Sequence, residues 1–147
     1  MTILREMSGS VILDPEGRLL IQRRDDKPTI PYPGRLALFG GLREGNETFR
    51  ECAVREFTEE LTYSPPAERF EHFMSYDGPD LDFPEYMARA ELFVIRDVSV
   101  EQVRVTEGSL LIARRDELPA LLPLFVPFPL HILTTFLKQS RPLSYSN

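Results

Sequence analysis

Residues 41–63 read GLREGNETFRECAVREFTEELTY, and this stretch decides the fold. Thr48 is followed three residues later by Glu51, which is a capping box, so a helix is predicted to begin at Thr48 and to end near Leu61 or Thr62. At about 100° per residue, one arc of this helix collects the apolar residues Ala53, Val54, Phe57 and Leu61. The stretch therefore predicts a loop that enters an amphipathic helix.

Three glutamates fall on the neighbouring arc of the same helix. Glu56, Glu59 and Glu60 are spaced so that their side chains come together. Like charges at this spacing cost about 0.2–0.5 kcal/mol per pair. A hard divalent cation such as Mg²⁺, which takes oxygen ligands, would remove that cost. A solvated acidic face is the alternative interpretation, because surface glutamates are common on helices.

The longer spacing favours a functional site. Gly41 is followed by five residues, Glu47, seven residues, Arg55-Glu56, two further residues and Glu59-Glu60. This pattern resembles the signature of the Nudix hydrolases, with Phe57 and Tyr63 in its two apolar positions. Thr62 departs from the family, which usually has Gly there. The other six of the seven fixed positions match: Gly41, Glu47, Arg55, Glu56, Glu59 and Glu60.

The resemblance implies a fold and a metal site. The implied fold is α/β, a Nudix-type α/β/α sandwich with a mixed β-sheet, formed by residues 1–147 as a single domain. The implied cofactor is Mg²⁺, with Mn²⁺ as an alternative. Its ligands would be the Gly41 carbonyl and the catalytic carboxylates Glu56, Glu59 and Glu60. Glu47 and Arg55 are expected to pair as organisers, with an outer metal role for Glu47 as an alternative.

The general base and the substrate contacts are less constrained. Glu107 is the first candidate for the base, Glu101 is the second, and a motif glutamate is the third option. By position in the family, Arg24 would meet a substrate phosphate, although a plain surface charge fits equally well. Tyr32 and Phe39 are expected to flank a base or sugar, with a core role as the alternative for Phe39.

The rest of the chain alternates short strands, turns and helices. Apolar runs predict strands at 10–13, 19–22, 36–39, 70–76, 85–95 and 110–113. Turn signals join the first two strands as a hairpin and place a second turn at 77–80. Residues 25–35 hold three prolines and are predicted to form a loop. Helices are predicted at 116–122 and 130–137, followed by a tail at 140–147.

Composition bounds the partners and the compartment. The 147 residues carry a net charge of −6, which argues against stable nucleic-acid binding. The single Cys52 excludes an internal disulfide and fits a reducing cytosol, as does an N-terminus without a long apolar run. A passive role for Cys52 is favoured over a reactive one. Residues 119–137 are apolar, but four prolines argue against a membrane span and favour a core segment that partly forms a homodimer contact.

Two function classes are open. The first is a Mg²⁺-dependent pyrophosphohydrolase that acts on a nucleoside diphosphate linked to another group, because metal ions can neutralise a phosphoanhydride and activate water. A nucleoside triphosphate is the leading substrate, and a nucleotide sugar is the second. The other class is a nucleotide- or metabolite-sensing domain that does not cut. The intact acids favour the enzyme, since a binding-only relative would be expected to lose one of Glu56, Glu59 or Glu60.

Overall fold

A seven-stranded mixed sheet with three α-helices forms the fold in the computed structural model, which describes residues 2–139. The helices are α1 (Phe49–Leu61), α2 (Leu118–Leu121) and α3 (Pro127–Gln139). The tail predicted at 140–147 lies outside the described residues. The strands are β1 (Leu4–Leu13), β2 (Leu19–Arg23), β3 (Leu36–Ala37), β4 (Phe39–Leu42), β5 (Glu71–Pro79), β6 (Met87–Ile95) and β7 (Ser109–Ala113).

β1 is the central strand, and its two edges are used differently. One edge pairs in parallel with β6, from Leu4 opposite Met87 to Ile12 opposite Ile95. The other edge is divided between two antiparallel partners: β4 pairs with its middle and β2 with its end. The main order is β3-β2-β1-β6-β5, and β7 pairs with β2. This division brings Gly40 and Gly41 of β4 directly beside Gly9 and Ser8.

Helices cover both faces of the sheet. Successive side chains of a strand point to opposite faces, and in β1 Val11 and Ile12 belong to different core clusters. The cluster containing Ile12 includes Phe57 of α1, whereas the one containing Val11 includes Leu133 of α3. The predicted α/β sandwich with a mixed sheet is therefore confirmed. The segment at 119–137 contributes Phe128, Ile132, Leu133 and Phe136 to the core. Among residues 2–139, none of the helices is long and apolar enough to cross a membrane.

α1 begins as its capping box predicts. The Thr48 hydroxyl accepts the Glu51 N–H at 3.0 Å, and the Glu51 carboxylate accepts the Thr48 N–H at 2.7 Å. The C-cap of the helix is Thr62, whose φ of 54° is left-handed. That conformation costs a non-glycine residue about 1–2 kcal/mol. The Thr62 hydroxyl offsets part of this cost because it donates to the carbonyls of Leu61 at 2.7 Å and Arg104 at 3.0 Å.

Several element boundaries differ from the prediction, four of them for a clear physical reason. β1 begins at Leu4, six residues before the predicted start, because it pairs with β6 along its length. The predicted strand at 36–39 divides into the whole of the two-residue β3 and the first residue of β4. The predicted turn at 77–80 is wrong: Asp77, Gly78 and Pro79 pair with β6, and the turn lies at 80–86. α3 begins at Pro127, because a proline at the first helical position lacks only an N–H that has no partner there.

Candidate active site

Two glycines of β4 allow unusually close approaches. A Cβ on Gly40 would lie 2.4 Å from the Ser8 carbonyl oxygen and 2.6 Å from the Gly9 Cα. A Cβ on Gly41 would lie 2.4 Å from the carboxyl carbon of Glu56. No side chain fits at either position without displacement of a neighbour. Gly40 therefore brings β4 against β1, and Gly41 lets a carboxyl group of α1 lie on the strand.

Arg55 holds three acidic side chains of the signature. Its Nε and Nη2 donate to the two carboxylate oxygens of Glu47 at 3.0 and 2.8 Å. Its Nη1 donates to Glu56 at 3.0 Å and to both oxygens of Glu59 at 3.3 Å. The bidentate bond from Arg55 holds the pKa of Glu47 at about 2. Since Nη2 also donates to the Leu42 carbonyl at 2.9 Å, the guanidinium ties the loop before α1 to both β4 and the helix.

Glu60 occupies a different environment from the Arg55 network. Its Oε1 accepts the Gly40 N–H at 2.9 Å. Burial raises the pKa of Glu60 to about 8, and the negative charges of Glu56 and Glu107 contribute to the rise. Burial also raises the pKa of Glu56, although Arg55 opposes that rise. The end of α1 thus carries carboxyl groups that a nearby cation would stabilise in the charged form.

The donor set fits a hard divalent cation in chemistry but is not assembled around one. Among residues 2–139, no three His, Cys, Asp or Glu side chains are grouped as a metal site. Arg55 holds Glu56 and Glu59, whereas Gly40 holds Glu60. The donors are carboxylate oxygens and the Gly41 carbonyl, which are the ligand types that Mg²⁺ and Mn²⁺ take. These donors therefore fit such an ion in chemistry, while Arg55 and Gly40 hold different members of the set.

A cavity of about 520 Å³ lies beside these acids. Gly41 and Glu60 line it, and so do the predicted substrate contacts Arg24, Tyr32 and Phe39. Glu107 reaches the same cavity from the segment before β7. The remaining predicted residues, Glu47, Arg55, Glu56 and Glu59, lie outside its lining. The structure thus brings Glu107 and the three substrate candidates to the same cavity as Gly41 and Glu60.

The three substrate candidates differ in what else they contact. Arg24 donates from Nε to the Pro31 carbonyl at 2.9 Å, which supports the proline-rich loop. The Tyr32 hydroxyl donates to the Asp82 carbonyl at 2.6 Å, and Tyr32 has a left-handed φ of 51°. Phe39 is only 2% exposed and belongs to the core cluster beneath α1. Phe39 is therefore a core residue that also contributes to the cavity wall.

Two further residues considered from the sequence lie outside the cavity. Glu101 sits in a short 3-10 turn, where its carboxylate accepts the Ser99 hydroxyl. Cys52 is fully buried, with its Sγ 3.6 Å from the Gly41 carbonyl oxygen. Burial raises the pKa of the Cys52 thiol to about 12, so the thiol stays protonated at neutral pH. This environment agrees with the passive role predicted for Cys52.

Sequence reasoning missed Asp82, a half-buried acid on the loop between β5 and β6. Asp82 lines the cavity together with Phe83 of the same loop. The sequence around it suggested only a turn, and that turn was placed a few residues too early. No local pattern signals such a residue, because only the pairing of β5 with β6 and the position of α3 bring it to the cavity.

A known protein family and several solved structures share this architecture. A family profile described as NUDIX domain matches residues 5–125. The chain therefore belongs to the Nudix hydrolase family, as the signature predicted. No curated protein sequence matches the chain.

Solved structures share the fold at low sequence identity. A bifunctional NMN adenylyltransferase/ADP ribose pyrophosphatase from Francisella tularensis, complexed with AMP and a Mn ion, matches with a TM-score of 0.75 and 15% identity over 95% of this chain. The chain spans only 42% of that enzyme. The E. coli ORF135 protein matches with a TM-score of 0.71 and 19% identity, over 97% of this chain and 96% of its own.

A third solved structure is the NUDIX domain of Shewanella oneidensis NrtR, complexed with ADP ribose. It matches with a TM-score of 0.71 and 14% identity, over 95% of this chain and 88% of its own. At such identities these likenesses establish the fold of the chain.

Proposed function

We propose that this protein is a divalent-metal-dependent pyrophosphohydrolase that cleaves a phosphoanhydride bond in a nucleoside diphosphate linked to another group. The observation that carries the proposal is the presence of all three signature acids on α1. Glu56 lies against Gly41, Glu59 shares the Arg55 guanidinium with Glu56, and Glu60 lines a cavity of about 520 Å³, a size typical of small-molecule sites. A nucleoside triphosphate is the leading substrate, giving a monophosphate and pyrophosphate, and a nucleotide sugar is the second.

The metal ligands in this proposal are the Gly41 carbonyl and the carboxylates of Glu56, Glu59 and Glu60. When bound, Mg²⁺ or Mn²⁺ neutralises the phosphates and lowers the pKa of water. Arg55 holds the carboxylates of Glu56 and Glu59 in position, because its guanidinium makes charge-assisted hydrogen bonds to both. Glu47 holds Arg55 in place through its bidentate pair.

The cavity residues complete the proposed site. Glu107 takes a proton from the attacking water, since it lines the cavity, its charge acts on Glu60 and the residue is exposed. Arg24 meets a substrate phosphate from the end of β2, where it also lines the cavity. The signature offers no Ser or His at a nucleophile position, and its one cysteine is buried and protonated. Attack by water without a covalent intermediate follows from that inventory.

A product screen tests the proposal. Purified protein with Mg²⁺ is incubated with nucleoside triphosphates, nucleotide sugars, dinucleoside polyphosphates and simple phosphomonoesters, and the products are identified by mass. Hydrolysis in ¹⁸O-labelled water should place the label on a phosphoryl product. Brisk cleavage of monoesters without activity on anhydrides, or label in the sugar or base, would contradict the assignment. Tight nucleotide binding with no turnover of any substrate would favour the sensing domain instead.

A further inference from the structure

Asp82 is held at three of its polar atoms. Its backbone N–H donates to Asp80 Oδ1 at 2.9 Å, and its carbonyl oxygen accepts the Tyr32 hydroxyl at 2.6 Å. Its Oδ1 accepts the Phe128 N–H at 2.8 Å. Asp80 is only 1% exposed and lies 3.1 Å from Arg5 Nε, so the loop is anchored beneath Asp82 as well. Asp82 is thus fixed before any ligand binds.

The bond to Phe128 uses the remaining free donor of the first turn of α3. Pro127 and Pro129 have no N–H, and the Leu130 N–H donates to the Val126 carbonyl at 3.0 Å. The Phe128 amide would otherwise have no partner at this helix end, and Asp82 supplies one. The positive end of the helix dipole also favours a carboxylate there. Both effects keep the carboxylate in one orientation.

The second carboxylate oxygen of Asp82 is left for a ligand. Within residues 2–139, Oδ2 is the one polar atom of Asp82 without a hydrogen-bond partner. Asp82 lines the cavity, and Oδ2 is not among the fully buried atoms that lack a partner. Burial raises the pKa of Asp82 while the Phe128 N–H opposes the rise. A half-buried acceptor of this kind gains from a ligand donor more than an exposed one does.

Aromatic side chains line the same cavity as Asp82. Tyr32 and Phe83 line the cavity and meet edge to face, with ring centroids 6.1 Å apart. The Arg5 guanidinium lies over the Phe83 ring, 5.0 Å from its centroid. Aromatic walls favour a planar ring over a flexible sugar. The ligand group that reaches Asp82 should therefore be a flat heterocycle that carries a hydrogen-bond donor.

We propose that Asp82 is a specificity-determining residue, whose free Oδ2 accepts a hydrogen bond from the exocyclic amino group of a nucleobase. Adenine, guanine and cytosine carry such a group, whereas uracil and thymine present carbonyl oxygens at the corresponding edge. A carbonyl oxygen facing a carboxylate leaves both acceptors unpaired, so such bases are disfavoured. The inference rests on the proposed function insofar as it takes a nucleotide as the ligand.

Equilibrium binding tests the contact from the ligand side. Non-hydrolysable α,β-methylene analogues of ATP, GTP, ITP, CTP and UTP are titrated into wild-type protein with Mg²⁺ by calorimetry. ITP lacks the amino group of ATP and GTP, and UTP lacks that of CTP. The best amino-bearing analogue should bind about tenfold or more tightly than its amino-free counterpart. Ratios within twofold in every pair, or no binding of any analogue, would overturn the proposal.

Asp82→Asn tests the contact from the protein side. The amide keeps an oxygen for the Phe128 N–H and places a donor toward the cavity, so the preference should fall to about one or reverse. Asp25→Asn is the matched control, because Asp25 also lines the cavity but pairs with Lys27 at 3.7 Å, and it should leave the preference unchanged. A folded Asp82→Asn protein with the wild-type preference would overturn the proposal. If Asp82→Asn does not fold, the wild-type ratios decide.

Two further results separate the alternatives. If 2′-deoxy analogues bind tenfold more weakly and Asp82→Asn removes that difference while amino groups have no effect, Asp82 contacts the sugar and the proposal is wrong. Base preference in binding without hydrolysis of any substrate would uphold Asp82 as the specificity residue and refute the pyrophosphohydrolase. Hydrolysis without any base preference would refute the role of Asp82 and uphold the pyrophosphohydrolase.

Discussion

At the scale of the residue, Glu107 is the proposed general base. It lines the cavity and its charge contributes to the raised pKa of Glu60. If Glu107 is the general base, Glu107→Gln should lower kcat by about 10²–10⁴-fold and leave Mg²⁺ affinity nearly unchanged. Steady-state kinetics and metal titration measure the two quantities.

Glu101→Gln is the matched control for that prediction. Glu101 is also a loop acid, but its carboxylate bonds Ser99 outside the cavity, so its replacement should change kcat little. If the Glu107→Gln enzyme has near-wild-type turnover, Glu107 is not the general base and a glutamate of the signature takes that role.

The pair of Glu47 with Arg55 should give the fold a distinct acid dependence. The pKa of Glu47 is lowered to about 2 from a usual 4.5, so its stabilisation is present above pH 4.5 and is lost as the pH falls toward 2. The free energy of unfolding should therefore be lower in Glu47→Gln than in wild type at pH 7, and the difference should shrink between pH 4.5 and 2. Urea unfolding across this range measures it, and a difference independent of pH would contradict the ion-pair account.

At the scale of the element, β4 contacts both β1 and α1. Its adjacent glycines, Gly40 and Gly41, should therefore respond differently to replacement by alanine. In Gly40→Ala the new Cβ meets backbone of β1, which cannot move cheaply, so the protein should be strongly destabilised. In Gly41→Ala the Cβ meets only the end of the Glu56 side chain. That variant should remain folded and lose activity, because the Glu56 carboxyl is displaced.

Thermal unfolding together with kcat distinguishes the two glycine variants. Each serves as the control of the other, since both make the same chemical change in neighbouring residues of one strand. A Gly41→Ala protein with full activity would remove Glu56 from the proposed metal site, and a Gly40→Ala protein as stable as wild type would contradict the close strand approach.

At the scale of the whole molecule, metal binding should stabilise the fold, because an ion that binds only the native state shifts the unfolding equilibrium. Saturating Mg²⁺ or Mn²⁺ should raise the Tm of the wild type by about 5–10 °C, and chelation should abolish both the rise and the activity. Glu59→Gln should reduce the rise and lower kcat by about 10²–10³-fold. Scanning calorimetry with and without metal measures the effect.

Glu44→Gln is the matched control for Glu59→Gln. Glu44 Oε2 also lies 3.7 Å from Arg55 Nη1, but the Glu44 side chain is 71% exposed. Glu44 is not one of the fixed acids of the signature. Its replacement should leave the metal-induced rise intact. If Glu59→Gln keeps both the full rise in Tm and the turnover, Glu59 is not a ligand.

The predicted homodimer also belongs to the scale of the whole molecule. Sedimentation velocity measures the mass of the particle and tests this prediction directly.

The amino-acid sequence by itself determined the elements whose causes are local. The Thr48–Glu51 capping box sets the start of α1, and the spacing of its apolar residues sets the buried face. Helical periodicity alone places the signature glutamates on adjacent turns of α1. The family, the sandwich and the mixed sheet followed from the same stretch through its resemblance to the Nudix hydrolases, and the family profile agrees.

Tertiary structure decided the features that depend on distant partners. The division of the β1 edge and the late turn at 80–86 are set by strand pairing, which no local pattern specifies. The left-handed conformation of Thr62 is stabilised in part by a hydrogen bond from its hydroxyl to the carbonyl of Arg104, far along the chain. Asp82 gains its fixed carboxylate from Phe128, a helix N-terminus 46 residues away. Buried backbone N–H and C=O groups must be hydrogen-bonded, and their partners can lie far away in the sequence. The residues that line the cavity could therefore be identified only from the positions of the strands and α3.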